Sequence, residues 1–372
     1  MDVDVKLRFN REELAEALGA ICNVASGRTP KEILKCVKVE AHSDVVLLSA
    51  TDNEIGLRCA VTQVEVETPG EALVPADTFS KIAHECQDEV LVAETDDRAL
   101  HLRGVGSHFE VVTHVAGDFP VVADLEGDAD FVIPCATLSG LIEWTVFACA
   151  KESTRYAING VLWEVDPNSL TLAATDGRRL SVGKVKLQDG EAKGESQAIV
   201  PGKALQLFAR LPGDGKASVA VQIAGNRVIL KMGRSTLSSN LIEGHFPKYQ
   251  DVIPQDCDRV VHLDTGAFQG KLRQAALLTN EESKGVRLSF AKGELTISSR
   301  APEQGEATIA LPIEYDGEAT DIGFNPVFLM DVLRVTDTDK ISFAFREANR
   351  PGLIKKNEDF LHVVMPVNLT SA

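Results

Sequence analysis

The residues of this chain that most resemble an active site are Asp176, Arg178 and Arg179, because a carboxylate and two guanidinium groups are close together in the sequence. The chain contains no G-x-S-x-G nucleophile motif, no Walker A phosphate loop and no H-E-x-x-H zinc motif, however. Thr175-Asp176-Gly177 is more typical of a tight turn between two strands. We therefore expect no catalytic residues and a protein that is not an enzyme.

The cysteines and histidines lack the spacing of metal ligands. Seven cysteines form no C-x-x-C pair and are odd in number, which argues against a structural zinc site or a disulfide framework. The eight histidines are scattered, and His108 and His114 merely share a predicted strand region. We expect no metal and no cofactor.

Composition and charge limit the possible partners. No apolar run approaches the roughly 20 residues that a membrane-spanning helix needs, so we expect no membrane contact. The first residues alternate like a strand and lack the features of a secretory leader, so the expected compartment is the cytoplasm. The formal charge of −17 taken alone disfavours nucleic acid, whose binding depends on basic side chains.

One kind of segment occurs three times along the chain. Leu47–Asp52 aligns with Thr171–Asp176 and then with Leu295–Arg300, at a spacing of 124 residues both times. Other landmarks recur at nearly the same interval. A unit of this length can bury its own core, so we expect three similar domains, at residues 1–125, 126–253 and 254–372.

Each unit combines two amphipathic helices with several short strands. The first helix is predicted over residues 11–22, where Asn10 and Glu13 are placed as a capping box. The second helix of each unit is predicted to start at a proline, which is harmless in a first turn: Pro75, Pro201 or Pro326. Strands in series with only two helices per unit favour an α+β fold with helices packed on antiparallel sheets.

The acidic charge is unevenly distributed along the chain. The predicted helix windows sum to zero charge over 73 residues, so the whole excess of −17 lies elsewhere; the windows are 11–22, 76–86, 137–151, 201–211, 264–276 and 325–335. If the helices share one surface, that surface is far less acidic than the opposite one.

In the order of its motifs the chain resembles the sliding clamps of bacterial replication, the β subunits of DNA polymerase III. The resemblance runs along the full length and is carried by Arg155–Leu162, Ala174–Leu180, Leu241–Pro254, Ile322–Asn325 and Val363–Val367. It implies three similar clamp-type domains and a head-to-tail homodimer that closes into a six-domain ring with helices lining the hole. Such a ring encircles double-stranded DNA without sequence preference and serves as a processivity factor, with no 3′–5′ exonuclease activity of its own.

The resemblance also implies which residues face the duplex. A ring retains DNA by enclosing it, so weak attraction from a few scattered bases is enough. Each candidate is equally compatible with a solvated surface base. The candidates are Arg28, Lys151, Arg155, Tyr156, Lys203, Arg210, Lys271, Arg273 and Lys284.

A docking pocket for short peptides is implied as well. Its partners would be the catalytic subunit of the replicative polymerase, the clamp loader and other proteins with a clamp-binding motif. Such a pocket needs exposed aliphatic surface with a few polar anchors, although the C-terminal apolar residues could also form an edge strand of the third domain. The pocket residues are Ile158, Thr175, Gly177, Arg179, Leu180, Pro247, Val252, Val363, Val364, Met365, Pro366 and Val367.

The dimer interface is expected to join the first unit near Ser107–Thr113 to the third unit near Ser298–Thr308. Its anchors would be Phe109, Leu277 and Leu278, which could equally be core residues. A second class of function also fits the composition, namely an acidic scaffold that binds peptides without encircling DNA.

Overall fold

The structure is a computed structural model that describes residues 5–25, 29–96, 98–152, 157–187, 192–212, 216–279 and 285–369. Within these ranges runs of several strands are separated by single helices, and every strand pair is antiparallel. The helices are α1 (Arg11–Ala25), α2 (Ala76–Glu85), α3 (Cys135–Thr145), α4 (Gly202–Phe208), α5 (Thr265–Ala275) and α6 (Pro326–Val335).

The strands are short and follow one another closely along the chain. They are β1 (Lys6–Asn10), β2 (Cys36–Ala41), β3 (Val46–Thr51), β4 (Ile55–Val61), β5 (Val64–Thr68), β6 (Gly70–Pro75), β7 (Val90–Thr95), β8 (Ala99–Gly104), β9 (Ser107–Val112), β10 (Phe131–Pro134), β11 (Gly160–Asp166), β12 (Ser169–Thr175), β13 (Arg179–Lys186), β14 (Ser196–Pro201), β15 (Ser218–Ala224), β16 (Arg227–Met232), β17 (Ser235–Asn240), β18 (Arg259–Asp264), β19 (Val286–Ala291), β20 (Glu294–Ala301), β21 (Gly305–Pro312), β22 (Thr320–Phe324), β23 (Lys340–Phe345), β24 (Gly352–Asn357) and β25 (Phe360–Val364).

The first compact unit contains residues 1–138, 190–194 and 203–242. It holds a five-stranded sheet in the order β5-β1-β7-β8-β9 and an eight-stranded sheet in the order β10-β15-β16-β17-β4-β3-β2-β6. Helix α1 packs on β3, β4 and α2, and its apolar stripe of Leu14, Leu18 and Ile21 is fully buried. Burial of this stripe explains why a chain segment with the 3.6-residue period forms a helix here.

The second compact unit contains residues 139–189, 195–202 and 243–372. It holds an eight-stranded sheet in the order β14-β11-β12-β13-β25-β24-β23-β18 and a four-stranded sheet in the order β21-β20-β19-β22. Helices α5 and α6 pack on each other above a core of aromatic rings, in which the Phe290 and Phe345 centroids lie 4.2 Å apart. The fold is α+β, as expected.

The central third of the sequence contributes strands to both units. Strands β10 and β15–β17 join the eight-stranded sheet of the first unit, where β17 pairs with β4. Strands β11–β14 belong to the eight-stranded sheet of the second unit, where β13 pairs with β25. Each large sheet is therefore assembled from two of the three repeats.

The start of α1 uses only half of the predicted capping box. The Asn10 side chain accepts a hydrogen bond from the Glu13 backbone N–H at 3.1 Å, which caps the helix. The Glu13 carboxylate does not return this bond. It accepts from the backbone N–H groups of Thr62 and Gln63 at 3.1 and 2.5 Å and pairs with Arg234.

The prediction that the second helices start at proline is right for one repeat and wrong for two. Pro326 is the first residue of α6, and the Asn325 side chain caps it by accepting from the Val327 N–H at 2.9 Å. Pro75 and Pro201 instead end strands β6 and β14, and their helices begin one residue later. Both prolines are still tolerated, because β6 and β14 are outermost strands of their sheets, where a missing N–H is acceptable.

Candidate functional site

A tight turn between β12 and β13 forms one side of the predicted pocket. The Thr175 hydroxyl donates to the backbone oxygen of Arg179 at 2.6 Å, and Asp176 Oδ1 accepts from the backbone N–H groups of Arg178 and Arg179 at 2.9 and 3.1 Å. Gly177 has φ +84°, in the region that favours glycine. The interpretation of this motif as a turn is confirmed, and its carboxylate is used to hold the backbone.

The Arg179 side chain is enclosed by fixed partners. Its Nε donates to Asp176 Oδ2 at 3.0 Å, its Nη1 to Asp331 Oδ2 at 2.7 Å and its Nη2 to the backbone oxygen of Phe147 at 2.7 Å. Its guanidinium carbon lies 4.5 Å from the ring centroid of Phe328 and 5.4 Å from that of Phe147. With 9% of its side chain exposed, Arg179 ties the turn to α6 and to the 3-10 turn at Val146–Ala148.

Strands β13 and β25 form the apolar floor beside this turn. Leu180 pairs with Val363 and Arg179 with Val364 in the antiparallel register, and the three apolar residues are at most 1% exposed. Strand β25 lies between β13 and β24, so it is an interior strand and the edge-strand alternative is wrong. These residues are therefore buried beside the turn, where the predicted pocket would have its floor.

The segment after β25 is more accessible. The Met365 backbone N–H donates to the Arg178 oxygen at 2.9 Å, which ties this segment to the turn, and Met365 is 41% exposed. Pro366 and Val367 are half-buried, and the Val367 N–H donates to the Gly323 oxygen of β22 at 2.8 Å. Beyond Met365, the chain thus follows the edge of the four-stranded sheet.

The remaining predicted pocket residues lie on two other segments of the second unit. Ile158 is buried, Pro247 is half-buried and Val252 is 50% exposed. The Ala157 N–H donates to the His245 oxygen at 3.3 Å, which holds these two segments together. Val252 ends the 3-10 turn at Tyr249–Val252. Met365 and Val252 therefore provide the most exposed apolar surface among the predicted pocket residues.

A buried histidine lies beside Arg179. His362 is 0% exposed, and among the described residues neither ring nitrogen has a hydrogen-bond partner. Its ring lies 5.5 Å from that of Phe147. Burial, together with the positive charge of Arg179, lowers the His362 pKa to about 3, so the ring is neutral at physiological pH.

The sequence reasoning missed the residues that fix Arg179. Phe328 and Asp331 stand three residues apart on α6 and so share a helix face, which is the one local signal that could have identified them. Phe147 and His362 carried no local signal of this kind. Their roles depend on strand pairing over long sequence separations.

The predicted duplex-facing residues are only partly described. Arg28, Arg155, Tyr156 and Lys284 lie outside the described residues. Lys151, Arg210 and Arg273 are exposed and Lys271 is half-buried, and none of the four has a carboxylate within 4.0 Å in the described ranges. Lys203 donates to Asp52 at 2.5 Å. Burial alone would raise the Asp52 pKa, but the Lys203 ammonium and two backbone N–H groups hold that pKa below its usual value.

The predicted dimer anchors lie at sheet edges and on an exposed turn. Phe109 is 37% exposed on β9, the outermost strand of the five-stranded sheet. Leu277 is 75% exposed and Leu278 half-buried, both in the 3-10 turn that follows α5. Strand β21 is the outermost strand of the four-stranded sheet. The core alternative does not hold for Phe109 and Leu277, because both are exposed.

No helix in the described ranges is long and apolar enough to cross a bilayer. In the same ranges, no three His, Cys, Asp or Glu side chains are grouped so that they could hold a metal ion.

Three family profiles match the chain one after another. They are the N-terminal, central and C-terminal domains of the DNA polymerase III beta subunit, over residues 5–123, 132–248 and 250–368. The chain belongs to the DNA polymerase III beta subunit family. The threefold organisation predicted from the repeat is thereby confirmed, while the boundaries at 125 and 253 stay a prediction.

Relatives in this family match over nearly their whole length. The chain is 33% identical to the beta sliding clamp of Pseudomonas putida over 364 residues, covering 97% of this chain and 99% of the relative. It is 31% identical to that of Escherichia coli K12 over 371 residues, covering 98% and 100%.

Solved structures of sliding clamps have the same fold. The Pseudomonas aeruginosa clamp bound to griselimycin matches with a TM-score of 0.92 and 31% identity, covering 98% of this chain and 100% of that chain. The Bacillus subtilis clamp matches with a TM-score of 0.93 and 28% identity, covering 98% and 99%.

Proposed function

We propose that this protein is a DNA sliding clamp: a homodimeric ring that encircles double-stranded DNA without sequence preference and tethers the replicative polymerase for processive synthesis. The observation that carries this proposal is the match of all three domain profiles, in order, over nearly the whole chain. The protein is a non-catalytic subunit that acts in the cytoplasm. No observation favours the acidic scaffold that does not encircle DNA.

Two strands that are outermost in the described sheets, β9 and β21, support ring closure. An outermost strand presents unpaired backbone N–H and C=O groups to another chain. In a head-to-tail dimer, β9 of each protomer pairs with β21 of the other, and two such contacts close a ring. The exposed side chains of Phe109 and Leu277 lie next to these contacts and lose water when the ring closes, together with Leu278.

Weak attraction to DNA follows from the distribution of bases. Lys151, Arg210, Lys271 and Arg273 have no carboxylate within 4.0 Å among the residues that the structure describes, so their charges are available to phosphates. Lys203 is partly neutralised by Asp52 and contributes less. Arg28, Arg155, Tyr156 and Lys284 complete the proposed set. With so few contacts, DNA is held by enclosure, and the ring remains free to slide.

The pocket is proposed to bind short motifs of the polymerase catalytic subunit, the clamp loader and other clamp-binding proteins. Leu180 and Val363 are buried and would form its floor, and Met365 and Val252 offer accessible apolar side chains. A peptide that covers this exposed aliphatic surface gains hydrophobic free energy to offset its loss of conformational entropy.

Two measurements test the ring. The mass in solution should be about twice 40.1 kDa. When loaded onto nicked circular DNA, the protein should remain bound during gel filtration in high salt and should be released when the circle is cut once. Equal retention before and after cutting would contradict encirclement and favour the acidic scaffold.

A double variant tests the weak attraction to DNA. Lys271→Gln with Arg273→Gln should weaken binding to short open duplexes at low salt without abolishing retention on circles.

A paired set of variants tests the pocket. Val252→Ala with Met365→Ala should weaken binding of a polymerase clamp-binding peptide by at least about tenfold, since truncation of interface anchors commonly costs more than 1 kcal/mol each. Val260→Ala is a matched control, because Val260 and Val252 are both 50% exposed. Unchanged peptide affinity in the double variant, with the dimer intact, would contradict the pocket assignment.

A further inference from the structure

A groove of about 640 Å³ opens on the eight-stranded sheet of the second unit. Val182 of β13 and Leu361 of β25 form part of its lining, and Ile253 forms part of its wall. We call it the acidic groove, because its lining also includes five carboxylates: Glu164, Asp166, Glu195, Glu358 and Asp359.

The acidic groove continues from the floor of the peptide pocket. The register of β13 and β25 pairs Leu180 with Val363 and then Val182 with Leu361. Just beyond these pairs, the Lys184 backbone N–H donates to the Asp359 oxygen at 2.8 Å. Residues two apart on a strand face the same side of a sheet and are separated by about 7 Å. The groove therefore lies on the same sheet face as Leu180, and begins one residue pair beyond it.

The wall of the groove is held in place by hydrogen bonds. The Tyr249 hydroxyl donates to Glu164 Oε2 at 2.5 Å, and Gln197 Nε2 donates to Glu164 Oε1 at 3.1 Å. Burial, reinforced by the Glu164 carboxylate, raises the Tyr249 pKa, so the phenol remains a donor. These bonds join the 3-10 turn at Tyr249–Val252 to β11 and β14, so the groove is formed before any ligand arrives.

The charge of the groove is uncompensated. Its five carboxylates face one ammonium, that of Lys184, which leaves four net negative charges. In the described ranges none of the five has a Lys or Arg partner within 4.0 Å, although many other carboxylates of the chain do. A concave surface lined by one sign of charge concentrates ligands of the opposite sign.

The spacing of the carboxylates decides between two cationic ligands. They are distributed along the groove, and in the described part of the chain no three of them form a group that could hold a metal ion. A peptide with several Lys or Arg residues fits better, since each aliphatic stem can lie on Val182 and Leu361 while its charged head reaches a carboxylate.

We propose that the acidic groove binds a basic segment that flanks the docking motif of a partner protein whose motif is seated in the peptide pocket. This inference rests on the proposed function of the pocket. It makes the groove a determinant of partner choice: motifs with Lys or Arg on the appropriate side bind more tightly, and motifs with acidic flanks are disfavoured.

The test uses a clamp-binding peptide of the organism's own polymerase catalytic subunit, as it is and with Lys-Lys-Lys or Glu-Glu-Glu added at either end. Affinity is measured by fluorescence anisotropy with the full-length protein at low and high salt. At one end, the lysine extension should tighten binding by about tenfold at low salt, from several ion pairs of modest strength, and the gain should shrink at high salt. The glutamate extension at that end should weaken binding.

A charge-matched pair of variants assigns the gain to the groove. Glu358→Gln with Asp359→Asn should remove most of the gain and leave the affinity of the unextended peptide unchanged. Glu314→Gln with Asp316→Asn removes the same charge from exposed carboxylates away from the groove and should retain the gain.

Three outcomes would overturn the proposal. The first is that neither lysine extension tightens binding, and the second is that both double variants reduce the gain equally. The third is that a free tri-lysine peptide binds as tightly as the extended one, which would contradict coupling to the pocket. If the unextended peptide fails to bind, the pocket assignment itself is wrong and the groove proposal fails with it. If the unextended peptide binds but the lysine extensions have no effect, only the groove proposal is wrong.

Discussion

Replacing Arg179 with alanine should destabilise the second unit by about 3 kcal/mol, because breaking a buried ion pair typically costs about 3–5 kcal/mol. The variant loses all three side-chain hydrogen bonds, to Asp176, Asp331 and the Phe147 backbone. The low end of the range is expected, because both carboxylates keep other partners. Asp331 still has Arg334 at 3.6 Å, and Asp176 still accepts from the backbone of its own turn.

Tryptophan fluorescence during urea unfolding measures this effect selectively. The two tryptophans of the chain, Trp144 and Trp163, both belong to the second unit. A loss of about 3 kcal/mol should lower the urea midpoint by about 1 M, for a slope near 3 kcal/mol per M. Arg178→Ala is the matched control, since the Arg178 side chain is exposed and forms no hydrogen bond in the described structure, and it should change stability by less than about 0.5 kcal/mol.

A double-mutant cycle sharpens the result. Arg179→Ala and Asp331→Asn should be non-additive by roughly 1–3 kcal/mol, since the two side chains are in direct contact. Equal midpoints for the Arg179 and Arg178 variants, or strict additivity in the cycle, would refute the assignment of Arg179 as the residue that ties the turn to α6.

Further variants address burial, capping and turn geometry. His362→Phe removes two buried nitrogens that have no hydrogen-bond partner in the described ranges, and it should maintain or raise the thermal midpoint at pH 7. In the wild type, stability should fall as the pH drops from 6.5 toward 3, because the unfolded state takes up a proton that the folded state, with its His362 pKa near 3, does not. This contribution has a slope of about 1.4 kcal/mol per pH unit, and the variant should lack it. Thermal melts from pH 7 to 4 would show the difference. Glu13→Gln should lower the thermal midpoint, because the Glu13 carboxylate is nearly buried in an ion pair. Glu12→Gln, whose side chain is exposed, should leave the midpoint unchanged. Equal thermal midpoints for the two variants would contradict the stabilising role of the Glu13 ion pair. Gly177→Ala should lower the free energy of unfolding by about 1 kcal/mol, because Gly177 has a φ of +84°. Gly140→Ala, in open space on α3, should raise it by up to about 1 kcal/mol. Urea titrations that give both changes the same sign would rule out the conformational explanation.

The architecture was predictable because it repeats. A spacing of 124 residues and helical stripes such as Leu14-Leu18-Ile21 predicted three similar α+β domains, and both properties are local or periodic features of the chain. The capping box shows what neighbouring residues alone cannot predict. Asn10 caps α1 as predicted, but the Glu13 carboxylate is taken by Thr62, Gln63 and Arg234, which are distant in sequence.

The segments that contribute to the candidate site could be predicted from the sequence, but the contacts between those segments could not. The turn at Thr175-Asp176-Gly177 follows from residue type alone, whereas the pairing of Leu180 with Val363 joins strands about half a chain apart. The same pairing makes β25 an interior strand, which its continuous apolar run indicates only weakly. The partners of Arg179 on α6 depend on that assembly and could not be found before it.

The division of the middle repeat between two sheets affects how the chain is synthesised and dissected. The first unit needs residues 203–242 to complete its eight-stranded sheet, so a nascent chain on the ribosome exposes the open flank of β4 until β17 has emerged. Likewise, β13 stays unpaired on one side until β25 has been synthesised, and β25 lies in the third repeat. Gene fragments cut at the repeat boundaries would sever both sheets, so expressed thirds of this protein should aggregate where the intact polypeptide does not.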